Sequence, residues 1–148
     1  MRISQNGINL IKKFEGFRSS PYLCSAGVPT IGYGATYYEN GTRVKLSDPP
    51  ISEEWAEVLL KRLLVHYEVG VDSMTRDDIT QNQYDALVSF AYNVGLTNFK
   101  NSTLLKRVNA NPKDLDITNQ FMKWIRAGGK VIRGLISRRR VEAQLYFS

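Results

Sequence analysis

The stretch Glu15-Gly16-Phe17-Arg18-Ser19-Ser20-Pro21-Tyr22-Leu23-Cys24-Ser25-Ala26-Gly27-Val28-Pro29-Thr30-Ile31-Gly32-Tyr33-Gly34 is where the pattern of the chain changes. Ahead of it, residues 4–15 read as a short helix. Ser4 can cap that helix, and Ile8, Leu10, Ile11 and Phe14 form an apolar stripe at helical spacing. Within and after the quoted stretch, glycines fall at 16, 27, 32, 34 and 41 and prolines at 21, 29, 49 and 50. Short β-prone pieces lie between them: Pro21–Cys24, Thr30–Gly34 and Arg43–Leu46. This reads as a small antiparallel sheet, with turns at Ser25-Ala26-Gly27 and Glu39-Asn40-Gly41.

From residue 52 onward the period becomes helical. Ser52 followed by Glu53 and Glu54 is a helix start with acids in its first turn. Ala56, Leu59, Leu60, Leu63, Leu64 and Tyr67 then share a face. Thr80-Gln81-Asn82-Gln83 is a capping box that opens a helix stopped by Gly95. Ser102 caps another helix. A further one is expected to hold Phe121, Trp124 and Ile125 and to end at Gly128-Gly129. The last is expected from about Ser137. One helix, a small sheet and then a run of helices predict an α+β fold rather than alternating βαβ units. The 148 residues suit one domain. Its β-lobe is expected at about 16–50 and its helical lobe at 1–15 and 51–148, with a cleft between them as a ligand site.

Composition narrows the function classes. The hydrophobic share of 43% and charged share of 23% are globular values, which removes disorder, collagen and coiled coil. No run approaches the ~18 apolar residues of a membrane span. The opening Met1–Gly7 lacks the apolar core of a secretory signal, so synthesis in the cytosol is expected. Cys24 is the single cysteine, which excludes an internal disulfide and by default reads as a small buried hydrophobe. His66 is the single histidine, so no metal site and no cofactor are expected. The balance of 20 basic against 14 acidic residues, or +6, favours polyanionic partners such as wall polymers, nucleic acid or anionic membranes without choosing among them.

Glu15 ends the first helix, Cys24 follows after eight residues and Thr30 after five more. A carboxyl at a helix end facing two polar groups on a hairpin can surround a reacting centre; it can equally be a solvated acid. Spacing alone leaves both readings open. The triplet Glu-x8-Cys-x5-Thr, with Pro29-Thr30-Ile31-Gly32-Tyr33-Gly34 around the threonine, resembles the phage-type lysozymes, an endolysin family of glycoside hydrolases. The likeness continues through Asn82–Gly95, Asn98–Leu105, Trp124–Gly129 and Gly134–Arg139, in order and across nearly the whole chain.

That resemblance implies a lysozyme-like fold and cleavage of the β-1,4 bond between N-acetylmuramic acid and N-acetylglucosamine in bacterial peptidoglycan, with host lysis as the outcome. It implies Glu15 as general acid, Cys24 at the position that orients or activates water, and Thr30 holding that water. A general acid must keep its proton at the working pH, so partial desolvation is expected around Glu15. A neutral thiol is a poor base, so Cys24 acts either as a thiolate that holds water or as a nucleophile. A neighbouring carboxylate is expected to oppose thiolate formation. Tyr33, Gly34, Tyr92, Asn93, Asn101 and Ser102 match positions that bind sugar in the family, and Arg138 matches the arginine expected beside Glu15. Arg139 and Arg140 read as a solvated face, Trp124 as core and Trp55 as lobe packing. Relatives carry a histidine before the threonine where this chain has Ala35-Thr36, so a contact between that histidine and an acid is not expected here.

The expected partner is peptidoglycan, met by a monomer released from the host cytoplasm to the periplasm and wall through a holin-type pore, without stable membrane insertion and without nucleic acid. The alternatives are a lytic transglycosylase, a non-hydrolytic wall-binding protein on the same fold, and, last, a basic nucleic-acid binder.

Overall fold

The structure is a computed structural model that describes every residue from Met1 to Ser148. The chain falls into two compact units, one formed by Met1–Gly7 with Tyr67–Ser148, the other by Ile8–His66.

The Ile8–His66 unit takes most of helix α1 (Gln5–Glu15), strands β1 (Arg18–Leu23) and β2 (Pro29–Gly32), and the first half of helix α2 (Glu53–Met74). β1 and β2 are antiparallel, with Tyr22 opposite Thr30 and Leu23 opposite Pro29. The pairing turns at Cys24–Val28, where the Gly27 N–H donates to Cys24 O at 2.8 Å and the Cys24 N–H to Val28 O at 3.1 Å. Gly27 has φ 75°, a conformation that favours glycine. The expected third strand at 43–46 does not form. Only isolated bridges join Tyr37 to Arg43 and Ile31 to Ala35. The Lys45 N–H turns to the Asp48 carboxylate at 2.9 Å, and Pro49 and Pro50 beyond it have no N–H to extend a ladder. Val44 is nevertheless buried with Ile31, Ala35 and Leu59, and Tyr38, Ile51 and Leu63 pack around them. The packed unit is therefore wider than the β-prone segment, because α2 supplies Leu59 and Leu63 to the same core. Trp55 is not part of that packing: it is 39% exposed, with the Arg62 guanidinium 5.3 Å from its ring centroid.

The other unit centres on helix α3 (Gln81–Val94), buried without interruption from Gln83 to Ala91. Around it run α4 (Leu96–Lys100), α5 (Thr103–Ala110), α6 (Asp116–Met122), a hairpin of β3 (Arg126–Ala127) with β4 (Lys130–Val131), and α7 (Arg133–Tyr146). Phe90 makes edge-to-face contacts with Phe99, Phe121 and Trp124 at centroid distances of 6.2, 5.6 and 5.5 Å, which places Trp124 against the core as expected. The helix expected to reach Gly128-Gly129 stops at Met122. The two glycines, at φ 57° and 77°, form the turn of the β3–β4 hairpin instead. α7 begins at Arg133, earlier than expected. Its run of arginines is not a solvated face at Arg139, which is fully buried; Arg140 is exposed.

The predicted caps form. Ser4 Oγ accepts from the Gly7 N–H at 3.3 Å and donates to Asp85, and Trp55 N–H donates to Ser52 Oγ at 3.1 Å. Thr80 and Gln83 close the reciprocal box at 3.1 and 2.9 Å. No helix is long and apolar enough to cross a membrane.

Candidate active site

Glu15 is the last residue of α1 and is half-buried; the Gly16 N–H closes the helix on Lys12 O at 2.9 Å. Its carboxyl lies directly on the backbone at Gly34. A Cβ built on Gly34 would overlap Glu15 Oε1 and sit 3.0 Å from its carboxyl carbon. Gly34 also has φ 77°. Its absent side chain is therefore what admits the acid, and it stands under Glu15 as a spacer.

The Cys24 sulfur sits half-buried in the turn between β1 and β2. The Val28 N–H holds the thiol below its ordinary pKa; burial opposes this, and the Ala26 N–H, the Thr30 hydroxyl and the Cys24 N–H add smaller contributions in the same direction. The expected rise from a neighbouring carboxylate is not what the site produces. Main-chain N–H groups of a tight turn, rather than a cation, favour the thiolate.

Thr30, on β2, is 2% exposed, and its hydroxyl donates to Val28 O at 2.8 Å. One hydroxyl proton cannot serve Val28 O and the sulfur together. The bond held is the one to Val28, so the N–H groups carry most of the thiolate preference. With its proton committed, the Thr30 oxygen is an acceptor toward any molecule beside it.

Tyr22 was not singled out from the sequence. Burial pushes its hydroxyl pKa up, and the charges of Glu15 and Cys24 push it further, against the Arg18 guanidinium stacked 4.3 Å from its ring centroid. Tyr22 thus lies in the field of both groups. The signal available was proximity: residue 22 stands two positions before Cys24 in the β-prone piece Pro21–Cys24, near the end of β1.

The expected sugar-binding residues divide. Tyr33 is 5% exposed; its ring packs on Phe17 at 5.7 Å, with Lys12 Nζ 5.4 Å from its centroid, so it presents no open stacking face. Ser102 is buried as the N-cap of α5, its hydroxyl donating to Phe99 O at 2.6 Å and accepting from the Leu105 N–H at 3.1 Å. Tyr92 is half-buried, edge-on to Tyr67 at 5.2 Å, and Asn93 and Asn101 are exposed. Arg138 is 3% exposed and donates to Glu142 Oε2 at 3.2 Å and to Ser89 O at 3.1 Å. No group of three or more His, Cys, Asp or Glu side chains is gathered where a metal ion could sit.

A mostly helical chain with a small two-stranded sheet beside an acid, a thiol and a hydroxyl is the build of a lysozyme, and the comparisons agree. The sequence profile of the family described as phage lysozyme matches residues 12–142. The endolysin of Bacillus phage B103 is 48% identical over 100% of this chain, which spans 55% of that relative's length. The solved endolysin of Escherichia coli O157:H7 phage FAHEc1 superposes with TM-score 0.91 at 37% identity, covering 100% of this chain and 94% of that one. The muramidase domain of SpmX from Asticaccaulis excentricus superposes with TM-score 0.86 at 33% identity, covering 99% and 98%. The chain belongs to the phage lysozyme family. It is a peptidoglycan-lytic glycoside hydrolase of the lysozyme class.

Proposed function

We propose that this chain hydrolyses the β-1,4 bond between N-acetylmuramic acid and N-acetylglucosamine, with Glu15 as the general acid and Cys24, as thiolate, and Thr30 holding the attacking water. The observation that carries the reading is the pairing of a carboxyl lodged on Gly34 with a sulfur biased toward its anion, inside one packed unit.

Glu15 gives its proton to the leaving sugar oxygen as the bond breaks and charge develops on the ring. A water near Cys24 and Thr30 meets two acceptors, the sulfur anion and the Thr30 oxygen, so both its hydrogens point at protein and a lone pair is left for the anomeric carbon. The thiolate takes the water's proton and the centre inverts. The same thiolate acting as a nucleophile would give retention. Tyr92, Asn93 and Asn101 contact the glycan in this reading. The protein reaches the wall by release from the host cytoplasm through a holin-type pore.

The test is mass and anomeric analysis of products from purified sacculi. Glu15→Gln is expected to lose roughly 10²–10⁴-fold in rate, the worth of general acid catalysis. Cys24→Asp is expected to keep hydrolysis with inversion. Products ending in an anhydro sugar would establish transglycosylation instead, and sacculi dissolved at full rate by Glu15→Gln protein would remove the acid from its role.

A further inference from the structure

The positive charge of this chain is not spread over it. Residues 117–141 hold seven of the 20 Lys and Arg and none of the 14 Asp and Glu. The other 123 residues carry 13 basic against 14 acidic side chains, or −1, so the whole surplus lies in this one segment. Within it Lys123 ends α6, and Arg138 and Arg139 are buried against Glu142, with N–O distances of 3.2 and 3.3 Å. Arg126, Lys130, Arg133 and Arg140 are exposed, and none of them forms an ion pair. The arginines elsewhere are all occupied. Arg2, Arg62, Arg76 and Arg107 meet carboxylates, and Arg18 and Arg43 lie on tyrosine rings.

Three of these four cations belong to one exposed hairpin and the residue behind it. Arg126 stands opposite Val131, Lys130 opposite Ala127, and Arg133 opens α7. The run 126–134 is exposed throughout. A Cβ built on Gly128, Gly129 or Gly134 would meet nothing within 4 Å, so no other part of the chain closes over the turn. The cationic side chains therefore face solvent with their N–H donors unspent. A row of such donors fits a polymer that bears repeated oxyanions, and the arginine fork fits a planar carboxylate. Val131 and Ile132, 49% and 39% exposed, are the only large apolar side chains of the run. Two side chains do not make the apolar face that an element lying in a membrane surface buries.

We propose that the β3–β4 hairpin and Arg133 form a wall-retention surface, which holds the enzyme to the carboxylates of the peptide stems on peptidoglycan. The inference rests on the peptidoglycan reading above and adds a second attachment to it. None of these residues serves the acid, the water or the sugar. The surface acts by keeping the enzyme on an insoluble substrate, not by shaping the bond that breaks.

The experiment measures binding to purified sacculi in the Glu15→Gln background, which keeps binding apart from cleavage. One variant adds Arg126→Gln, Lys130→Gln and Arg133→Gln. Its control adds Lys45→Gln, Lys106→Gln and Lys113→Gln at exposed positions elsewhere, so each set of three removes the same charge. Neither set breaks an ion pair, so both variants should keep the parent's Tm. At about 0.05 M salt the hairpin variant should bind sacculi at least roughly threefold more weakly than the control, because three exposed pairs multiply small individual gains. The gap should close by about 0.5 M salt, where screening is short-ranged. Sacculi whose stem carboxyls have been converted to amides should bind the hairpin variant and the control alike. In the cleaving enzyme the hairpin substitutions should raise the apparent KM for sacculi and leave kcat in place. Equal weakening of the two variants would overturn the proposal, since net charge would then be the whole effect. So would a gap that survives amidation of the stems. An equal gap on vesicles of phosphatidylglycerol and phosphatidylcholine would overturn it too, by moving the surface to a membrane. A wild-type protein that binds sacculi with this hairpin dependence yet releases no reducing ends would sink the hydrolytic reading alone.

Discussion

Gly34 and Gly41 make a natural pair of controls. Both have positive φ, 77° and 84°, so an alanine at either suffers the same backbone penalty, about 1–2 kcal/mol. Around Gly41 a Cβ meets nothing within 4 Å, whereas at Gly34 it runs into the Glu15 carboxyl. Both substitutions should lower Tm by a similar amount. Only Gly34→Ala should disable the enzyme, by roughly 100-fold, the cost of moving a catalytic group by about an ångström. Combined with Glu15→Gln, Gly34→Ala should cost little further rate. Equal activity of the two alanine variants would show that the acid does not need Gly34. Glu15, Cys24 and Thr30 could be singled out along the chain, but their spacing alone left a solvated acid open, and the roles proposed for them come from the family resemblance. The spacer role of Gly34, the presence of Tyr22 and the thiolate bias of Cys24 could not, because they depend on where main-chain atoms of a turn point in space.

Helix ends were the most readable elements. Ser4, Ser52, Thr80 and Ser102 all cap where short-range chemistry placed them, since a cap needs only a side chain and an N–H two or three residues on. Thr80→Ala removes one bond of the box and leaves the Gln83 N–H without its side-chain acceptor, while the Gln83 side chain keeps the Thr80 N–H. The expected loss is about 1 kcal/mol, up to about 2, which for a domain of this size is a fall in Tm of roughly 2–4 °C per kcal/mol. Thermal unfolding followed by circular dichroism checks it, and an unchanged Tm would mean that packing of α3 alone sets its start. The element misread was the one after Met122. Phe121 and Trp124 stand at helical spacing, and both do touch Phe90, but Trp124 gets there from outside the helix. Gly128-Gly129 was taken as a helix stop when the same dipeptide serves a two-residue hairpin equally well. Likewise, β-prone residues at 43–46 could not become a strand once the Lys45 N–H was taken by Asp48.

The whole chain carries +6, and its target wall is a polyanion. Affinity of the Glu15→Gln protein for anionic sacculi should therefore fall several-fold as salt rises from about 0.05 to about 0.5 M, over which the screening length drops well below ~10 Å. Binding to short neutral glycan strands should change little. Parallel salt curves for the two ligands would assign the charge to solubility alone. Fold class and most helix starts were readable along the chain, because periodicity, capping and turn chemistry act over a few neighbouring residues; the family was readable from the order of its motifs. The burial of Tyr33 and Arg139, the capture of the Ser102 hydroxyl and the contact of Arg139 with Asn93 were not. Arg139 and Asn93 are 46 residues apart, and only packing of α7 on α3 brings the guanidinium to the amide oxygen. A one-dimensional pattern records which groups exist; which of them keep a free valence for a ligand is settled by the neighbours that folding brings.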